Sequence, residues 1–155
     1  MRVFLKNKLV IDFFASLMFF TRISISWSYF SDKPPNLTRA SWSFPLIGLF
    51  IGVLSGIVGD FLIYLGLPIF LSCIISITFS VLLTGAFHED GLADTADGLG
   101  AGGSPKKINR IIHDSRLGTY GVVALVLGLL AKIGLTITLV EQGYLLISTL
   151  SVGFA

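Results

Sequence analysis

Charge is what this chain has least of. Charged residues make up 13% of its 155 residues, against the roughly 25% usual in a soluble domain. Hydrophobic residues reach 54% and mean hydropathy is +0.87. The balance excludes an ordinary soluble core and points to one polytopic membrane domain. The formal net charge of +2 is too small to argue for a nucleic-acid partner, and none is expected. Cysteine is almost absent. Cys73 stands alone inside an apolar run, so no internal disulfide can form and no zinc or nucleophile pattern includes it. It reads as a small buried hydrophobe. A cleavable leader is not expected either. Asp12 interrupts the approach to the apolar block Phe13–Phe20, Arg22 follows closely, and no small-x-small site comes after.

The fold class expected is all-α, a polytopic membrane helical bundle with an N-terminal interfacial helix. Leu9, Phe13, Leu17 and Phe20 recur at helical spacing within residues 1–30, with Lys8 and Asp12 as i, i+4 partners. The apolar block is too short to cross about 30 Å of hydrocarbon, so this helix should lie at the interface. Trp27 and Tyr29 suit headgroup depth. Between Ala40 and Phe87 the only charge is Asp60. That length allows two spans of about 20 residues each. The break is Leu65-Gly66-Leu67-Pro68, which divides a hairpin at 44–65 and 68–87. Gly48, Gly52 and Gly56 repeat every four residues and predict close helix packing. A third span is expected over 120–140, and 144–155 would begin a further helix.

Six of the eleven basic residues precede or include Arg39, and four lie between Lys106 and Arg116. Both regions should be cytoplasmic, which agrees with two intervening spans. The protein is then expected in the cytoplasmic (inner) membrane, with residues 88–118 as a polar loop on the inner side. Asp60 and Lys132 are left within spans. At 1.5 Å per residue they stand about 24 Å and about 18 Å from the cytoplasmic ends of their helices, so that they either pair or each snorkels to the outer interface.

The polar segment holds the chemistry. Four of the nine acids fall between Glu89 and Asp97. Read as helix, Asp90, Asp94 and Asp97 share a face. Their mutual repulsion would become binding around a hard cation. Mg²⁺ takes oxygen ligands and usually reaches a protein through one or two carboxylates plus substrate phosphates. Glu89, Asp90, Asp94 and Asp97 are therefore candidate metal ligands. Lys106, Lys107, Arg110 and Arg116 can hold phosphates, Arg116 with a bidentate fork. Gly91, Gly98 and residues 100–103 allow close backbone approach. His88 and His113 lack partners at metal-ligand spacing and read as structural. Asp114 can cap, pair with a base, or assist the site.

Leu83-Thr84-Gly85-Ala86-Phe87-His88-Glu89-Asp90-Gly91-Leu92-Ala93-Asp94-Thr95-Ala96-Asp97-Gly98-Leu99-Gly100, followed by Asp114-Ser115-Arg116-Leu117-Gly118-Thr119-Tyr120-Gly121, resembles the cobalamin synthase family. Phe19-Phe20-Thr21-Arg22-Ile23 and Phe44-Pro45-Leu46-Ile47-Gly48 look like its N-terminal signatures. The resemblance runs over essentially the whole chain and corresponds to the N-terminal part of longer family members. It implies an adenosylcobinamide-GDP ribazoletransferase at the cytoplasmic membrane, with Mg²⁺ as cofactor. A hydroxyl of α-ribazole, or of its 5′-phosphate, would attack the phosphorus nearest the cobinamide, and GMP would leave. On that resemblance Asp94, Asp97 and Asp114 are the catalytic candidates, any acid of the set being open as proton acceptor. Arg22, Lys106, Arg110, Ser115 and Arg116 are the substrate-binding candidates. Membrane lipid is a further partner, and self-association stays open.

Two other readings compete. Asp94-x2-Asp97-Gly98-x2-Ala101 matches the opening of the CDP-alcohol phosphotransferase motif, but Gly102 stands where arginine belongs. A cation transporter would place its acids near mid-membrane, whereas these lie beyond the end of a span.

Overall fold

The computed structural model describes residues 7–30, 34–114 and 116–143. Every regular element among them is helical. Helix α1 (Lys8–Phe20) starts on Asn7, whose side chain accepts the Leu9 N–H at 3.0 Å. After a 3₁₀ turn at Trp27–Tyr29, the short α2 (Leu37–Ala40) is capped by Asn36. A second 3₁₀ turn at Ser41–Ser43 leads into α3 (Phe44–Tyr64). Then follow α4 (Ile69–Thr84), α5 (Phe87–Ala101), α6 (Pro105–Ile112) and α7 (Thr119–Glu141). The stretch from Leu37 to Tyr64 and helix α7 are each long and apolar enough to cross a membrane. A third crossing is available if α4 and α5, bent by 85° at their junction, count as one broken span. This is an all-α membrane helical protein.

The hairpin α3–α4 is sealed by small residues. Gly52, Ser55, Gly56 and Gly59 of α3 are buried, as are Ser72, Ser76 and Ser80 of α4. Ser76 Oγ donates to the Ser55 carbonyl at 2.5 Å, and a Cβ on Gly59 would lie 3.3 Å from Ser76 Cβ. Without water to drive helices together, such close backbone approach and interhelical hydrogen bonds are what hold spans in register. The glycines announced this seam in the sequence. The serines at i, i+4, i+8 that complete it did not stand out. The hairpin turns at Gly66, whose φ of 88° a side chain would resist.

Helix α1 packs on this hairpin through Leu17, which joins Ile47 and Ile51 in the apolar core. Its other buried face is polar. Asp12, 3% exposed, does not pair with Lys8; the fork of Arg39 takes it, with Nε at 2.9 and 3.0 Å from its two oxygens. Ser16 and Ser43 continue the seam, bonded to each other at 2.7 Å and both to the Ala40 carbonyl. A buried carboxylate requires a full set of donors, and a lysine one turn away on a solvent-facing ridge supplies fewer than a guanidinium.

Residues 88–118, expected as a polar loop, contain two helices, and the acidic stretch takes up the helix, α5, in which Asp90, Asp94 and Asp97 were read on one face. The expected Asp60–Lys132 pair does not form, since the ion pairs among the described residues are Arg39–Asp12 and Arg116–Asp114. Lys132 turns instead toward α5, where it lines a cleft with Glu89. Depth along two helices gave no information about rotation around them. The expected further helix at 144–155 lies outside the described residues.

Candidate active site

The site depends on a corner. Helix α4 ends on Gly85 at φ 69°, and Ala86 follows at φ 61°, a left-handed position for a residue with a Cβ. Two such residues in succession turn the chain through 85° and start α5 in a new direction. Arg22 braces the corner. Its N–H donates to the Leu83 carbonyl at 2.8 Å, and its side chain crosses Gly85 so closely that a Cβ there would lie 2.8 Å from Nε.

From that corner α5 runs antiparallel along α7. Asp97 meets Gly118 and Gly121, Ala93 faces Gly121, Leu92 touches Gly128, and Glu89 shares a cleft with Lys132. Ile108 and Ile112 of α6 cover Gly98, where a Cβ would come within 2.6 Å of Ile112 Cγ1. The Tyr120 ring likewise covers Gly100. Gly98 and Gly100 thus serve helix packing, whereas a Cβ on Gly91 would meet open space.

A cleft of about 270 Å³ opens beside α5. Glu89, Asp90, Asp94, Asp114 and Arg116 line it, with Ala86 and Ala93 among its apolar walls. The Arg116 guanidinium grips Asp114 in a bidentate pair, Nε to Oδ1 at 3.0 Å and Nη2 to Oδ2 at 2.7 Å. Hydrogen bonds from the Arg116 side chain and backbone hold the Asp114 carboxyl down at about 2, and the same pairing raises Arg116. Both side chains also line an adjoining cleft of about 250 Å³ beside Asp97 and Gly118.

Asp97 does something else. Its Oδ2 accepts the Gly118 N–H at 2.7 Å and its Oδ1 accepts the Gly121 N–H at 2.8 Å. These are orphan donors at the start of α7, so Asp97 caps a helix to which it does not belong. It is 8% exposed. A Cβ on either glycine would collide with the carboxylate. The sequence held this signal in the Gly118-x2-Gly121 spacing.

The structure therefore brings together five of the candidates, Glu89, Asp90, Asp94, Asp114 and Arg116. Arg22 is at the corner and is not among the residues lining this cleft. Lys106 and Arg110 are on the exposed face of α6, and Ser115 lies outside the described residues. His88 stacks on Phe20 at 5.9 Å, and His113 Nδ1 bonds the Asn109 carbonyl at 2.8 Å, so both histidines have structural partners.

The chemistry of the donor set suits a hard cation. Asp90 and Asp94 make no side-chain hydrogen bond or ion pair with the described residues, and Glu89 Oε2 is buried without a partner. Among the described residues no three His, Cys, Asp or Glu side chains are already gathered to metal-binding distance. An ion that enters with phosphate needs only one or two protein carboxylates, and the cleft offers that many uncommitted ones.

The CobS family description, cobalamin-5-phosphate synthase, matches residues 12–154. The chain belongs to that family. It is 42% identical over 132 residues to an adenosylcobinamide-GDP ribazoletransferase of Xanthobacter autotrophicus, covering 82% of this chain and 49% of the relative. The protein of that name from Shewanella frigidimarina is 48% identical over 122 residues, covering 77% and 45%. That from Shewanella pealeana is 45% identical over 120 residues, covering 77% and 46%. The chain spans about half the length of these curated relatives. No solved structure matches. Membership in the cobalamin synthase family agrees with the resemblance carried by the acidic stretch and not with the CDP-alcohol or transporter readings.

Proposed function

We propose that the chain carries the diphosphate-handling part of an adenosylcobinamide-GDP ribazoletransferase. A hydroxyl of α-ribazole, or of its 5′-phosphate, attacks the phosphorus nearest the cobinamide. A new O–P bond forms as the bond to the bridging oxygen breaks, GMP leaves with that oxygen, and the hydroxyl proton passes to a carboxylate. The observation that carries this reading is the cleft beside α5, where uncommitted carboxylates face a guanidinium across about 270 Å³. Phosphoryl transfer asks for positioning and charge neutralisation more than for covalent help.

The roles divide by what each side chain already does. Asp114 is tied to Arg116 and titrates at about 2, too low to take a proton well near neutrality. Asp97 has both oxygens committed to α7. Asp94 is the uncommitted catalytic candidate and takes the proton. Asp90, with a remaining oxygen of Asp94, would hold Mg²⁺, which when bound neutralises charge on the diphosphate oxygens. Arg116 orients the diphosphate, with Asp114 fixing its fork. Lys106 and Arg110 of α6 add a positive field over the exposed approach.

The grouping of Lys and Arg supports a cytoplasmic face for this cleft and a place in the inner membrane. Exposed Val122, Val126, Leu127 and Leu130 on α7 suit lipid or further helices. The test is GMP release from adenosylcobinamide-GDP and α-ribazole by membranes containing the protein, with and without Mg²⁺. Asp94→Asn should lower it by about 100-fold or more. Wild-type membranes that release no GMP, or an Asp94→Asn protein that turns over normally, would sink the proposal.

A further inference from the structure

Glu89 borders a second cleft, on the side of α5 away from Asp94. It has a volume of about 270 Å³ and lies between α5 and α7, walled by Leu92, Leu125, Gly128 and Leu129, with Lys132 at its far end. Lys132 stands 13 residues beyond Thr119, about 20 Å along the helix at 1.5 Å per residue. The cleft therefore leads from the acidic end of the site down along the span. Its walls are mostly hydrocarbon, with the His88 imidazole among them, and its two ends carry opposite charges.

Those charges do not meet. The Lys132 ammonium and the Glu89 carboxylate form no ion pair within 4.0 Å. Glu89 Oε2 is buried without a hydrogen-bond partner. A lone buried acceptor of this kind is costly, more so when charged, so closing the gap would be favourable unless something else is to fill it. The terminal torsion of a glutamate is broad, and a small turn presents the orphan oxygen to the cleft. The wall is tight where it can be: a Cβ on Gly128 would lie 3.3 Å from Leu92 Cδ2.

A ligand between these groups must donate a proton to Glu89 and accept one from Lys132. It must also be neutral, because an anion would meet the carboxylate and a cation the ammonium. A primary carboxamide has that pattern, with its NH₂ and its carbonyl on one planar group. We infer that the Glu89–Lys132 cleft is a subsite for a carboxamide side arm of the corrinoid. The inference rests on the proposed transferase reading and deepens it. At about 30 Å³ per water, the cleft holds the volume of roughly nine waters, enough for one side arm and not for a macrocycle. Glu89 then stands between the two halves of the substrate, the diphosphate on one side and the amide-bearing ring on the other.

The probe is adenosylcobinamide, which carries the amides but no diphosphate or nucleotide. Binding to the purified full-length protein in detergent is followed by the corrinoid absorbance, together with steady-state kinetics. Lys132→Met should weaken adenosylcobinamide binding about tenfold and raise KM for adenosylcobinamide-GDP to match, with KM for α-ribazole at its wild-type value. Lys132→Arg, which keeps the charge and donor, should recover most of the loss, which separates a ligand contact from a folding defect. A corrinoid with one side-arm amide hydrolysed to carboxylate should bind wild type poorly and Glu89→Gln better. Adenosylcobinamide binding unchanged in Lys132→Met would overturn the subsite, as would equal losses of corrinoid and α-ribazole affinity. A wild-type protein that binds adenosylcobinamide through Lys132 yet transfers nothing would overturn the transferase reading and leave the subsite standing.

Discussion

Asp97 Oδ1 accepts the N–H of Gly121 at 2.8 Å, across 24 residues of chain. With the matching bond from Gly118, this ties the middle of the acidic helix to the first turn of α7. It makes two glycines obligatory, because either would push a Cβ into the carboxylate. Gly121→Ala should destabilise the protein by about 1–3 kcal/mol, the usual cost of overpacking a closed site. Asp97→Asn should cost a similar amount, since its NH₂ cannot accept from an amide and leaves one buried donor orphaned. Thermal unfolding in detergent measures both. If Asp97→Asn left unfolding unchanged and altered only the Mg²⁺ requirement, the carboxylate would be a ligand and not a cap.

The Asp114–Arg116 pair sets a pH window. The Asp114 carboxyl lies near 2 in the folded chain, below the unperturbed 3.8. A depressed carboxylate favours the folded arrangement above its unfolded value and loses that advantage as pH falls through its folded value. The stabilisation should therefore be present in full above about 4 and fade between about 4 and about 2, and the pair itself should dissolve around its folded midpoint near 2. Carboxyl carbon shifts across an acid titration report it directly. Arg116→Ala should return the Asp114 midpoint toward 3.8; a midpoint that stayed near 2 would mean the pairing is not its cause.

Arg39 should matter more through what it leaves behind than through its own contacts. Asp12 is buried and Arg39 is its only ion partner among the described residues. Arg39→Ala strands a carboxylate without its cation, whereas Asp12→Ala with Arg39→Ala removes the problem altogether. The double variant is expected to unfold at a higher temperature than Arg39→Ala alone. The reverse order would show that Asp12 is satisfied by other means.

The corner gives opposite outcomes at adjacent positions. Ala86 holds φ 61°, a conformation that costs a residue with a Cβ about 1–2 kcal/mol. Ala86→Gly should relieve part of this and raise the unfolding temperature. Gly85→Ala should lower it, because the new methyl meets both a left-handed backbone and the Arg22 side chain. Two substitutions that moved the temperature in the same direction would contradict this geometry.

Spans and polar segments were legible because hydrophobic length and charge are properties of sequence alone. The crowding of acids in an uncharged chain also pointed to the stretch whose Glu89, Asp90 and Asp94 line one cleft with Arg116. What was not legible depended on rotation and on partners distant in sequence. Lys132 was matched to Asp60 by depth, but α7 turns it toward Glu89. Asp97 shares the spacing of the metal candidates, yet two backbone amides 21 and 24 residues later claim it. Asp12 had a plausible lysine one turn away and took an arginine 27 residues on. For Asp97 and Asp12 local spacing offered an adequate partner and tertiary packing supplied a better one; for Lys132 packing set the direction of the side chain.

The 85° turn at Gly85–Ala86 separates anchoring from handling. An acidic helix that simply prolonged its span would rise and fall with every change in bilayer thickness. Turned away from α4 and pinned along α7, it keeps its place against that helix and not against the length of its own span.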